Sequence, residues 1–318
     1  MANGKIIFFG TPGICLPFLE KLKENFDIRL IITSPDSVGG RHRTKIIPAA
    51  KGFALENRIE LAQPETLKSP DLVEKIKRKK PAIGVVIAYG KLIPKVVFTI
   101  PTHNTINVHF SLLPGYRGAA PVQRAIENGD TFTGITIFEI NRKMDSGDIW
   151  AQKRFEIFPD DTSEILFERL SREGAPFLVM TINRILDNKI QKRPQDHEKA
   201  SHAPMVAKEE GRVDWNLSAR QLYNKFRAFT PWPGLFFYLN QQCVKIKKLR
   251  VYEEPRELKA LLTGKKAGDI IGVDKSSLKV CCGNQSVLEI IEMQPECKRP
   301  MTPHCYALGH PLPPSLND

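Results

Sequence analysis

Lys5-Ile6-Ile7-Phe8-Phe9-Gly10 decides the fold. An unbroken apolar run closed by glycine reads as a buried strand with a turn at its end. Working outward, Leu16–Glu24 carries Leu16, Leu19 and Leu22 at helical spacing, and Ile28–Thr33 is a second apolar strand. Pro48–Leu55 and Asp71–Lys79 have helical patterns, and Ala82–Ala88, Ile106–Phe110 and Ile135–Ile140 are three further strands. Strands that alternate with helices predict an α/β, Rossmann-like, doubly wound and mostly parallel sheet. Thr162–Leu186 extends this as a long helical region, with Gly174 and Pro176 predicting a kink or a break into two helices.

After Ile190 the apolar rhythm stops. Gln191–Glu210 is rich in Lys, His, Pro and Ala, the composition of a linker. Beyond it, Ala219–Ala228 predicts one helix. Short strands then dominate: Leu235–Leu239, Val244–Val251, Asp269–Val273, Leu278–Cys282 and Val287–Met293. That pattern predicts a small OB-like β-barrel. The expected organisation is therefore a catalytic domain over 1–190, a linker over 191–207 and a second domain over 208–318, with Pro311–Asp318 as a loose tail.

The 318 residues suit two domains. Net charge is +12, and both parts contribute: about +7 before residue 208 and about +5 after it. A polyanionic partner follows from that distribution. Six cysteines without a C-x-x-C pair make neither a disulfide framework nor a zinc site. The longest apolar runs are too short for a membrane span or a signal peptide, so the expected place of work is the cytoplasm.

The first strand ends in Gly10-Thr11-Pro12-Gly13, which is neither G-x-G-x-x-G nor a P-loop, so no dinucleotide is expected. Ile106-Asn107-Val108-His109-Phe110 is more telling. Asn107 and His109 lie two apart, hence on one face, near a strand's carboxyl end where α/β sheets bind ligands. An amide donor and an imidazole suit acyl transfer; a satisfied structural pair is the other reading. Asp145, in Met144-Asp145-Ser146-Gly147-Asp148, sits at loop level within reach of His109. No serine or cysteine nucleophile stands in a recognisable frame, and no ligand spacing calls for a metal. Two basic features remain. Gly39-Gly40-Arg41-His42-Arg43-Thr44-Lys45 is a cationic loop, and Lys245, Lys247, Lys248 and Arg250 make a cationic strand. On simple alternation Lys245 and Lys247 take one face, Lys248 and Arg250 the other.

His109-Phe110-Ser111-Leu112-Leu113-Pro114, continuing through Tyr116-Arg117-Gly118-Ala119-Ala120-Pro121, closely resembles the signature of the folate-dependent formyltransferases. Ala88–Pro94 and Met144–Asp148 resemble two further motifs of that family. Lys208–Trp215 and Arg227–Gly234 resemble the start of the second domain in its tRNA-acting members. The resemblance implies that Asn107, His109 and Asp145 are catalytic. It implies that Tyr89, Gly90, Lys91, Leu92, Ile93 and Pro94 meet the pterin of 10-formyltetrahydrofolate, and that Ser111, Leu112, Leu113, Pro114 and Arg117–Pro121 wall the cleft. Arg41, Arg43 and Lys45, with Lys245, Lys247, Lys248 and Arg250 of the second domain, are the implied contacts to methionyl initiator tRNA, and a monomer without metal is implied. In that scheme Asn107 and a protonated His109 stabilise an oxyanion, while Asp145 orients the imidazole and helps take the amine proton. Three rivals share parts of the pattern: a formyltransferase for a small amine, a 10-formyltetrahydrofolate hydrolase, and a nucleic-acid-binding module without activity.

Overall fold

A computed structural model describes residues 4–39, 44–253 and 262–317. The chain divides into two compact units, Met1–Pro121 with Phe132–Glu156 and Ile165–Pro204, and Val122–Thr131 with Ile157–Glu164 and Met205–Asp318.

The first unit is built on β1 (Lys5–Gly10) and β2 (Asp27–Ile32). A short hairpin follows, β3 (Ser37–Gly39) and β4 (Thr44–Ile46). Then come β5 (Leu61–Ala62), β6 (Ile83–Ile87), β7 (Thr105–His109), β8 (Arg117–Gly118), β9 (Phe132–Glu139), β10 (Ile149–Glu156) and β11 (His202–Ala203). Seven of these form one sheet in the order β10-β9-β7-β6-β1-β2-β5. β5, β2, β1, β6 and β7 run parallel, whereas β9 and β10 are added antiparallel. The expected α/β fold with a mostly parallel sheet is what forms. Strand order reverses direction between β1 and β6, the place where open α/β sheets leave a crevice at their carboxyl ends.

Helices α1 (Leu16–Asn25), α2 (Ala49–Glu56), α3 (Pro70–Lys79), α4 (Lys95–Phe98) and most of α6 (Ser163–Leu186) belong to the first unit, whereas α5 (Pro121–Glu127) falls, but for its first residue, in the second. Alternation divides the apolar side chains between two layers. Ile7, Phe9, Leu30, Ile32 and Val86 pack with Leu72 and Ile76 of α3 and Val97 of α4. Phe110 meets Phe18 of α1 and Phe167 of α6 on the opposite side. α6 is one unbroken helix with Pro176 inside it, so the expected division in two does not occur. Gly174 has a different role: a Cβ there would stand 2.3 Å from Ile135 Cδ1, so its bare backbone lets α6 lie close to the sheet.

In the second unit α7 (Ala219–Ala228) is capped by Ser218, whose side chain accepts from Gln221 N. β12 (Leu235–Leu239), β13 (Gln242–Val251), β14 (Ile270–Val273), β15 (Leu278–Cys282) and β16 (Ser286–Pro295) form an antiparallel sheet in the order β12-β13-β16-β15-β14. Among the described residues its edges β12 and β14 do not pair, so hydrogen bonds close no barrel. A last short helix, α8, spans Pro303–Ala307. The tail is not loose: Ile270 N donates to Pro314 O, Leu316 N donates to Gly268 O at 2.7 Å, and the Leu316 side chain is buried. Among the described residues no helix is long and apolar enough to cross a membrane.

Candidate active site

β7 carries Asn107 and His109 on the same side of the sheet, because alternate strand residues share a face. Asn107 pairs in register with Val86, which places both on the α3–α4 side. Asn107 is half-buried, and among the described residues its side-chain amide has no hydrogen-bond partner. A polar group left unpaired at a strand's carboxyl end is available to a ligand.

His109 is 5% exposed. Its Nε2 lies 2.8 Å from the carbonyl oxygen of Tyr116 and must donate to it, which fixes the tautomer. Nδ1 then carries the lone pair and faces Asp145 Oδ2 at 3.8 Å, beyond hydrogen-bond length. Burial pushes the imidazole below its ordinary pKa, against the opposing pull of the Asp145 carboxylate and the Tyr116 carbonyl. That direction favours the neutral ring.

Asp145 lies between β9 and β10, and its Oδ2 accepts the Gly118 N–H at 2.9 Å. Oδ1 has no partner among the described residues. The loop is pressed onto β9 so tightly that a Cβ on Gly147 would stand 1.7 Å from Glu139 O. Three non-glycine residues here hold left-handed backbone: Ala88 at φ 48°, Tyr116 at φ 59° and Asp145 at φ 49°. Such conformations are costly and persist where surrounding bonds enforce them. For Tyr116, the result is a carbonyl aimed at His109 and an N–H donated to Ser201 Oγ.

The Tyr89–Pro94 loop leaves β6 beside the strand-order reversal. Tyr89 turns into the core, edge-on to Phe9, and its hydroxyl is buried without a partner; burial pushes its pKa up to about 12. What the loop presents outward is Gly90, Lys91 and Leu92, with Ile93 and Pro94 half-buried. Ser111–Pro114 is tied down at Ser111 and Leu113. Ser111 Oγ donates to Gly115 O, Thr136 Oγ1 donates to Ser111 O and accepts from Leu113 N, and Gln152 donates to Leu113 O. Leu113 packs with Phe138 and Ile149, and the Leu113–Pro114 bond is cis.

The basic features fare differently from their sequence reading. Arg41 and Arg43 lie outside the described residues. Lys45 pairs with Asp36 at 3.0 Å, and the same carboxylate takes Lys51 and Gln63. Those partners, Gln63 first, hold Asp36 well below the usual carboxylate range. On β13 the register shifts around Lys247–Lys248. This bulge puts consecutive residues on one side, so Lys245, Lys247, Lys248 and Arg250 are all exposed while Val244, Ile246 and Leu249 are buried. The expected split over two faces is thus corrected to a single basic face. Arg250 is paired with the buried Glu289, whereas Lys245, Lys247 and Lys248 make no ion pair among the described residues.

Sequence reading missed Gln195, Ser201 and the Gly118 N–H. Gln195 is buried within a Lys/His/Pro-rich stretch, where no periodicity marks it.

A mostly parallel α/β unit with Asn107 and His109 at the carboxyl end of β7, followed by a small antiparallel unit, agrees with the frame of a formyl transferase. Family models agree: one described as formyl transferase matches residues 4–182, and one described as formyl transferase, C-terminal domain, matches residues 205–311. The chain belongs to this family. It is similar to the methionyl-tRNA formyltransferase of Acetivibrio thermocellus, with 39% identity over 96% of each chain. It is also similar to the methionyl-tRNA formyltransferase of Sulfurihydrogenibium sp., with 40% identity over 97% of each. Among solved structures, an N-formyltransferase from Helicobacter canadensis in complex with folinic acid and dTDP-3-aminofucose superposes with a TM-score of 0.65, covering 91% of this chain and 99% of that one. At 17% identity that likeness concerns the fold alone.

Proposed function

We propose that this chain transfers the formyl group of 10-formyltetrahydrofolate to the amino group of methionyl initiator tRNA. The observation that carries the reading is the gathering of Asn107, His109 and Asp145 at one strand end, with the Asn107 amide unpaired and His109 neutral, in a chain so similar along its length to methionyl-tRNA formyltransferases.

A folate fits the loop after β6. Ala88 and Gly90 bring backbone to the surface with little side chain in the way, and Leu92 offers an exposed apolar face to a flat ring. The bound folate supplies an activated formyl group on nitrogen. The residues of the chain do the rest. Asn107 donates its amide to the oxygen that gains charge as the amine adds, an effect that needs no reorganisation because the amide has no competing partner. Nδ1 of neutral His109 accepts the proton that the amine loses, and the Asp145 carboxylate beside it stabilises the imidazolium that results. The same pair returns a proton to the departing nitrogen. Asp145, held by Gly118 N, leaves Oδ1 free to orient the amine.

The second unit, read as the OB-like module of the family, carries the tRNA through phosphate contacts from Lys245, Lys247, Lys248 and Arg250, and Arg41 and Arg43 contact its acceptor end. Lys45 supports the β3–β4 hairpin through Asp36.

Single-turnover transfer from 10-formyltetrahydrofolate, with methionyl initiator and elongator tRNAs as parallel acceptors, tests this. Rapid formylation preferring the initiator is the expected result, falling about 10²–10³-fold in Asn107→Ala. Transfer to a small amine but not to either tRNA would replace this reading with that of a small-amine formyltransferase.

A further inference from the structure

Neither family model covers residues 183–204, yet this segment is bonded to both halves of the candidate site. Gln195 is 6% exposed, and all of its amide is used. Its Nε2 donates to two carbonyls of the loop after β9, Asp145 O at 3.0 Å and Gly147 O at 2.8 Å. Its Oε1 accepts from Arg117 Nε at 3.1 Å and Nη2 at 2.6 Å. Arg117 is itself buried, and Nη2 also donates to His197 Nδ1 at 2.9 Å. A buried guanidinium usually takes a carboxylate; here its partners are an amide and an imidazole from the same short segment. Farther along, Ser201 Oγ accepts the Tyr116 N–H, and Ser201 O accepts the Arg117 N–H. β11 then pairs in parallel with β8, next to the Gly118 N–H that holds Asp145.

We infer that Gln195 is a positioning residue for Asp145, and that residues 195–203 form a strap that sets the spacing between Asp145 and His109. Two arguments support this. Asp145 lies in a tight turn with left-handed backbone, and the carbonyls of Asp145 and Gly147 are both held by one side chain. That side chain cannot rotate, because Arg117 grips its other end. The inference rests on the transferase reading above for its kinetic part alone.

The test uses the full chain with Gln195→Met, which keeps the length and removes both donors, and Gln195→Glu, which keeps the acceptor for Arg117 and turns an anionic oxygen toward two carbonyls. Thr181→Val, a buried hydroxyl in α6 bonded to Phe177 O, serves as a control that destabilises away from the site. Single-turnover rate and KM for each substrate are measured, together with amide exchange at Gly118 and, as reference, at Val85 in β6. The expected result is a rate lowered about 10- to 100-fold in both Gln195 variants with each KM within about twofold, and faster exchange at Gly118 while Val85 stays protected. Thr181→Val leaves the rate and Gly118 exchange unchanged. A Gln195→Met rate within about twofold of the parent, or Gly118 exchange equal to the parent's, would overturn the inference. If the parent itself transfers no formyl group, the functional reading fails, and the exchange measurement still decides whether Gln195 holds the loop.

Discussion

His109 is the most buried of the three proposed catalytic side chains, Asn107, His109 and Asp145. Its environment contains an acid at 3.8 Å, yet burial outweighs that acid and keeps the ring neutral. The consequence for stability has a definite sign. The unfolded chain protonates its histidine near pH 6.5, whereas the folded ring resists until lower pH. Stability is therefore complete above about pH 6.5 and is lost as pH falls toward the folded value. Urea unfolding at pH 7.5 and pH 5 should show a drop in midpoint that shrinks in His109→Gln. An equal drop in both proteins would mean that folding leaves the proton affinity of the ring unchanged. The residue was legible in the sequence because a polar pair interrupts an apolar strand; its protonation state was not, because it depends on Tyr116 O and on depth within the fold.

Among the elements, those with a strong apolar rhythm could be read directly: β1, β2, β6, β7 and all five strands of the second unit lie where periodicity puts them. β10 was missed for a physical reason. It is an edge strand, and Gln152, Lys153 and Arg154 occupy its middle, as suits an edge that must not pair further. The bulge in β13 was illegible as well, since alternation assumes an unbroken register. That bulge changes what the strand offers a polyanion. Lys247→Ala/Lys248→Ala should raise KM for tRNA several-fold with an unchanged kcat, and lower the slope of log binding constant against log salt by about 2. A slope equal to the parent's would take these lysines out of the interface.

For the whole molecule, charge and length indicated two basic parts and a large anionic partner, and the mostly parallel sheet followed from the alternation of elements. The tail was misread: its prolines and polar residues look like a loose end, but Leu316 is buried against the second unit and the backbone pairs with Gly268 and Ile270. Deleting residues 312–318 should lower stability by about 2–3 kcal/mol, from one buried leucine and the lost backbone bonds. Urea unfolding followed by tryptophan fluorescence measures this, and an unchanged midpoint would restore the loose-tail reading.

The bonds that Gln195 makes to the Asp145 loop bear on how the protein is born. Synthesis runs from the amino end, and early parts of a chain fold while later parts are still being made. By the time residue 156 leaves the ribosome, every strand of the seven-stranded sheet has been made. Asn107, His109 and Asp145 are then all present, but the side chain that grips the Asp145 loop is still about 40 residues away, at a synthesis rate of roughly 5–20 residues per second. For those few seconds the Asp145 loop lacks the two bonds from Gln195, and it gains them only when residue 195 has been made.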